Sequence, residues 1–125
     1  MTFLKDTNSG NLLKEIRANS PLIWNISNFV SMDIAANILL SIGASPAMAH
    51  AIEEAESFAN LSKAINGALT INIGTFDKHW QRCAVKVANE AKFHNIPWVL
   101  DPVGAGASEF RSNNAKELLF LKPTV

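Results

Sequence analysis

One cysteine, Cys83, stands in 125 residues, and so small a thiol content excludes an internal disulfide framework and suits a reducing compartment. Charge of either sign is equally scarce in excess: 11 basic and 11 acidic residues cancel, and no stretch is strongly basic. That leaves no electrostatic footprint for nucleic acid or for an anionic membrane, so binding has to depend on a shaped site. The start, Met1-Thr2-Phe3-Leu4-Lys5-Asp6, lacks the apolar run of a secretory signal, and a cytoplasmic protein is expected. On that expectation the triplets at Asn25-Ile26-Ser27 and Asn60-Leu61-Ser62 are chance matches to a glycosylation acceptor. There is no internal repeat, no low-complexity tract and no G-x-x-x-x-G-K-[ST] phosphate loop.

What is present reads as globular. Hydrophobic residues make up 48% and charged ones 18%, more apolar than a disordered segment, and the length fits one domain. Residues 34–52 carry no Asp, Glu, Lys or Arg, and a window about 19 residues long could span a bilayer. Asn37, Ser41, Gly43, Ser45 and Pro46 interrupt it, however, and its first part is amphipathic. The expectation is a buried helix, a turn and a strand, with no membrane span.

Leu12, Leu13 and Ile16 give a short helix that Ser20-Pro21 should end. Residues 22–26 read as a buried strand and 27–31 as a polar turn. A helix follows with Met32, Ala35, Ile38, Leu39 and Ile42 on one face and Gly43 at its stop. Residues 45–48 can extend, with Pro46 limiting their pairing. The next helix places Ile52, Ala55, Ala59, Ser62 and Ile65 on one face and ends at Gly67. Residues 68–73 are the best strand. Asp77 is the expected N-cap of the clearest helix, whose stripe is Trp80, Cys83, Ala84, Val87, Ala88 and Ala91. Residues 97–100 form another buried strand running into Asp101, then 114–121 a helix, and 122–125 can begin a strand. Near-continuous apolar strands alternating with helices imply an α/β fold, a mostly parallel sheet with helices on both faces. The pattern stops where another strand should start, as in a truncated unit.

In such sheets ligands gather beyond the carboxyl ends of the strands. Three small polar loops fall there: Ser27-Asn28, Gly74-Thr75, and Asp101-Pro102-Val103-Gly104-Ala105-Gly106-Ala107. An acid at a strand end before two turn glycines can hold hydrated Mg²⁺ near phosphate, with loop N–H groups and the next helix N-terminus favouring anionic oxygens. A plain strand-to-helix turn in which Asp101 caps backbone donors accounts for the same residues equally well. Glu109 occupies the place of a third glycine, so this is not a dinucleotide fingerprint. Asn28 offers a donor and an acceptor to a heteroaromatic ligand, although turn asparagines more often satisfy their own backbone. Met48 suits a sulfur-bearing ring but more often fills core. His79 and Cys83 lie four apart, a weak metal signal without a second pair, and Cys83 fits a buried structural thiol better. His50 and His94 have no visible partner. Trp24, Trp80 and Trp98 are expected in the core. Arg111 could meet phosphate, though a solvated or ion-paired arginine is commoner.

Three segments together resemble the hydroxyethylthiazole kinase family: residues 20–28, then Gly43-Ala44-Ser45-Pro46-Ala47-Met48, then Asn72-Ile73-Gly74-Thr75 with residues 101–107. Their order and spacing match too, and similarity runs from about residue 10 onward; the Gly-Ala-Ser-Pro-Ala-Met run is the specific element. The resemblance implies that residues 1–125 are the N-terminal part of a single ribokinase-like kinase domain. It implies transfer of the ATP γ-phosphate to the hydroxyl of 4-methyl-5-(2-hydroxyethyl)thiazole, in thiamine salvage, with Mg²⁺. It also implies a homotrimer with the thiazole at the contact between subunits. By motif position Asn28, Val30 and Met48 fall where the family holds the thiazole, Asp101 at its Mg²⁺–phosphate position, and Gly104 and Gly106 in the loop beside it.

Beyond Val125 the family continues into an arginine–glycine–asparagine stretch with a glutamate, and later a glycine-rich anion hole with a catalytic cysteine. Mid-helix Cys83 is not that cysteine's counterpart. No catalytic residue is therefore expected within this chain, and the chain alone is expected to be inactive. The alternative is a non-catalytic fragment that binds ligand weakly or associates with full-length subunits. A hydroxymethylpyrimidine kinase of the same superfamily is a third reading, against which the Ala-Ser-Pro-Ala-Met run argues.

Overall fold

The computed structural model describes residues 8–125; the Met1–Asp6 start lies outside the described residues. The chain forms α1 (Ser9–Asn19), β1 (Leu22–Ile26), α2 (Met32–Ile42), β2 (Ser45–Ala47), a 3₁₀ turn (Ile52–Glu54), α3 (Ala55–Ala64), β3 (Ala68–Asn72), α4 (Lys78–His94), β4 (Trp98–Asp101) and α5 (Glu109–Phe120). The strands make one sheet in the order β2-β1-β3-β4, with every pair parallel. Pro46 is tolerated because β2 lies at the sheet edge, where a missing N–H leaves no ladder bond unmade.

Local chemistry sets the boundaries. Asp77 accepts from Trp80 N at 2.8 Å and starts α4, and Asn95, left-handed at φ 57°, ends it. Gly43 at φ 96° stops α2. Its open side is closed by Arg17 of α1, which a Cβ there would strike. α5 starts five residues earlier than 114 because the Ser108 hydroxyl accepts from Arg111 N and caps it. α3 stops at Ala64, so Ile65 does not extend its buried face of Ala55, Ala59 and Ser62.

Right-handed crossovers send α2 to one face of the sheet and α3 and α4 to the other, because the chain steps outward from β1 to β2 and then back across β1 to β3. The core lies on the α3–α4–α5 side. Trp24 and Ile26 from β1, Leu69 and Ile71 from β3, and Trp98 and Leu100 from β4 meet Ala55, Ala59, Cys83, Val87 and Leu118. Small alanines on both α3 and α4 allow close approach, and Phe58 stacks on Trp24 at 5.6 Å.

The opposite face departs from the sequence expectation. α2 carries no fully buried residue, and its Ile34 and Ile38 remain 60% and 57% exposed. β4 alternates strictly, with Val99 and Asp101 open, so its apolar run is buried on one side only. The segment 34–52 is thus a surface helix, a turn and an edge strand, and none of the described helices is long and apolar enough to cross a membrane. At the far end, Val125 N donates to Trp98 O and Leu100 N donates to Val125 O, at 3.4 and 3.0 Å. Those two bonds set Val125 alongside Val99 in the pattern of a parallel ladder, at the edge of β4.

Candidate functional site

The chain leaves β1 toward one face of the sheet and β3 toward the other, so the carboxyl ends of these neighbouring strands open a crevice between them. Register fixes what meets there: Ile26 pairs with Ile71 and Asn72 with Asp101, which puts residues 27–28, 73–75 and 101–107 at one edge.

Polar side chains tie the three strand ends into a line. Asn28 Nδ2 donates to Asn72 Oδ1 at 2.6 Å, and Asn72 Nδ2 donates to Asp101 Oδ2 at 2.6 Å. Asn72 Oδ1 also accepts from Gly74 N at 2.9 Å. Asn28 Oδ1 accepts from Val30 N and Ser31 N, so this asparagine satisfies its own turn as well as reaching across the sheet. Gly74 has to be glycine for this to hold, because a Cβ would sit 2.7 Å from Asn28 Cγ. Thr75 Oγ1 accepts from Phe29 N at 3.0 Å and closes the β1 loop on the β3 loop. Deeper in, Thr70 Oγ1 donates to Asn25 Oδ1 at 2.7 Å.

Asn25, Ser31, Thr70, Asn72 and Asp101 line a cavity of about 330 Å³, closed on its apolar side by Leu39 of α2. Its volume is at the small end for a ligand pocket. Asn28, Val30 and Met48 stand outside that lining. Asn28 is buried and turned toward Asn72, while Val30 is 80% exposed. Met48 is half-buried and follows Ala47, whose partner is Trp24, so it lies at the carboxyl end of β2 beside β1.

The glycine loop is held from both sides. Gly104 and Gly106 are left-handed, at φ 73° and 94°. Ala105 N donates to Pro102 O, Ala107 N to Gly104 O and Gly106 N to the Ser112 hydroxyl, each at 3.0 Å. These three donors are engaged within the loop and α5, not directed at solvent. Arg111 forms no ion pair among the described residues. Its guanidinium donates to the carbonyls of Ile73, Gly74 and Val103, pinning the glycine loop to the end of β3. A rigid fork suits three carbonyls where an ammonium would reach fewer.

His50 and Trp80 take different places from those expected, while Cys83 is the buried thiol its stripe predicts. His50 has partners: Nε2 accepts from Ser27 N at 3.0 Å and the ring lies 4.6 Å from Trp80. Trp80 sits at the rim, its indole N–H donating to Ser27 O at 2.8 Å. Cys83 is buried, donates to His50 O, and burial reinforced by Glu53 pushes its thiol up to about 11. His79 is exposed on the same helix. Asn72 was part of a recognisable motif but not a site candidate, since only the parallel register of β3 with β4 reveals its partner.

For Mg²⁺ the donors are few. No group of three or more His, Cys, Asp or Glu side chains could hold a metal among the described residues. A single exposed carboxylate, with only Oδ2 engaged by Asn72, does fit an ion that keeps most of its waters and takes phosphate oxygens for the rest.

The sequence of residues 13–125 matches the model of the hydroxyethylthiazole kinase family. The hydroxyethylthiazole kinase of Rhizobium rhizogenes is 51% identical over 119 residues, covering 95% of this chain and 43% of the relative. That of Pyrococcus furiosus is 45% identical over 116 residues, 93% of this chain and 42% of its own length. The solved structure of hydroxyethylthiazole kinase from Pyrococcus horikoshii OT3 superposes with a TM-score of 0.85 at 47% identity, over 90% of this chain and 43% of that one. The chain thus spans less than half the length of the curated relatives it matches, with the same α/β fold over the shared part. It belongs to the hydroxyethylthiazole kinase family.

Proposed function

We propose that this chain supplies the acceptor side of a kinase that transfers the γ-phosphate of ATP to the hydroxyl of 4-methyl-5-(2-hydroxyethyl)thiazole. The observation that carries the reading is the Asn28–Asn72–Asp101 line, which couples a heteroaromatic-binding position to an acidic one across the strand ends. In this reading Asn28, Val30 and Met48 hold the thiazole. The exposed Val30 supports a ring seated against a neighbouring subunit of a homotrimer. Asp101 is the carboxylate for Mg²⁺, which when bound neutralises phosphate charge. Gly104 and Gly106 let phosphate oxygens approach a loop without side chains. The setting is a cytoplasmic one, in thiamine salvage.

Phosphoryl transfer depends on orienting the attacking alcohol and stabilising spread charge. Asn72 fixes the rotamer of Asp101, and Arg111 holds the glycine loop at a set distance from β3. No second glycine-rich cradle occurs in these 125 residues. The second reading follows from that and from the share of the relatives spanned: alone, the chain is non-catalytic and binds ligand weakly or associates with full-length subunits.

Calorimetric titration of the thiazole alcohol into the chain, with and without a full-length relative, tests the assignment. Thiazole binding that weakens at least tenfold in Met48→Asp supports it, since a charge replaces an apolar contact at a cost of more than about 1.4 kcal/mol. Binding unchanged by that substitution removes Met48 from the site.

A further inference from the structure

We propose that His50 is a positioning residue that holds the β1–α2 loop and the end of β2 in register, and that the loop is released when its imidazole is protonated. Both backbone groups of Ser27 are held by side chains from elsewhere: its N–H by His50 Nε2 at 3.0 Å and its C=O by the Trp80 indole at 2.8 Å. His50 and Trp80 pack ring to ring, and Phe29 also packs on Trp80 at 4.9 Å. Asn28 follows Ser27 directly, so its reach to Asn72 depends on where Ser27 is fixed. His50 also lies two residues beyond Met48, past the end of β2. One ring therefore joins the loop that carries Asn28 to the segment that carries Met48, two of the residues to which the proposed function gives the thiazole. The consequence for ligand rests on that reading; the loop geometry does not.

An Nε2 that accepts has to be unprotonated, with the ring proton on Nδ1. Protonation would turn an acceptor into a donor facing the Ser27 N–H. Burial lowers the His50 pKa, partly offset by the Met48 backbone, so the accepting form persists below the usual imidazole range. No charged side chain enters that balance. Of the titratable groups on the elements packed here, Cys83 of α4 is neutral through this range, and Glu53 of the 3₁₀ turn acts on Cys83. His79 of α4 is exposed.

Amide NMR on the whole chain tests this. In the wild type, the Ser27 amide should shift in step with the His50 ring, at a midpoint below 6.5. Above that midpoint the Asn28 side-chain amide should be slow to exchange. His50→Phe keeps the ring but loses the acceptor, and should speed Asn28 exchange roughly tenfold while α4 amides stay protected. His50→Gln, which can still accept, should restore protection without the pH dependence. An Asn28 amide equally protected in His50→Phe, or a Ser27 amide that ignores the His50 titration, overturns the proposal. If His50→Phe does not fold, the wild-type titration decides alone. Thiazole alcohol titrated at pH 7.5 and at a pH below the midpoint separates the two ideas. Binding at neither pH counts against the thiazole assignment and leaves the NMR result to decide the role of His50. Equal binding at both, with the loop released, overturns the link between loop and ligand.

Discussion

Asn72 Nδ2 donates to Asp101 Oδ2 at 2.6 Å, from the last residue of β3 to the last residue of β4, and the two are direct partners in the parallel register. The same asparagine accepts from Asn28 through its other side-chain atom. An amide is one of the few side chains that can do both at once, since it carries an acceptor and two donors. Asn72→Ala should therefore cost about 1–2 kcal/mol of stability and free the Asp101 carboxylate. Urea unfolding measures the first. Asn72→Asp should be worse than Asn72→Ala, because it sets two carboxylates side by side. A variant as stable as wild type would show the line to be incidental.

Arg111 offers a test of the glycine loop. Arg111→Lys retains the charge but cannot serve the carbonyls of Ile73, Gly74 and Val103 together. Loop residues 102–107 should become protease-sensitive in Arg111→Lys nearly as much as in Arg111→Ala. Full protection in the lysine variant would show that charge, not the fork, is what the loop needs.

Cys83 should resist modification. Its thiol is buried and raised to about 11, so little thiolate forms near neutral pH. Native protein at pH 8 should react with iodoacetamide at least about a hundredfold more slowly than the unfolded chain. Comparable rates would place Cys83 outside the core.

The fold was largely legible because its signals are local. Apolar runs bounded by turn residues located β1, β3 and β4, and Asp77 with the stripe from Cys83 to Ala91 located α4. Exposure was less legible. Ile38 and Val99 have the composition of buried positions, yet both stay exposed along the open cavity between α2 and the sheet. Hydrophobic periodicity says which residues want cover, not whether cover is present. The strand-end loops were found from topology, but their wiring was not. The Asn72–Asp101 bond spans 29 positions, and the His50–Ser27 bond 23, so neither leaves a periodic trace. The partners of Arg111 were illegible too, because they are backbone carbonyls, which every residue has.

Stability should fall as acid is added. The folded-state pKa of His50 is lowered from an ordinary value near 6.5, so the unfolded chain takes up a proton first. The stabilisation from the neutral ring is present above 6.5 and is lost as pH falls below it toward the folded pKa. The urea midpoint should decline over that window in the wild type and less steeply in His50→Gln. Identical slopes would mean that His50 titrates alike in both states.

The most direct measurement joins residues 1–125 to the remaining length of a family relative and follows ATP-dependent formation of thiazole phosphate in the presence and absence of Mg²⁺. The account predicts phosphorylation of the thiazole alcohol and not of a hydroxymethylpyrimidine, with a loss of roughly a hundredfold or more in Asp101→Asn. It predicts no turnover by residues 1–125 alone. A folded fusion that ignores the thiazole, or that works equally well without the Asp101 carboxylate, would contradict it, as would turnover by the 125 residues within about tenfold of the fusion.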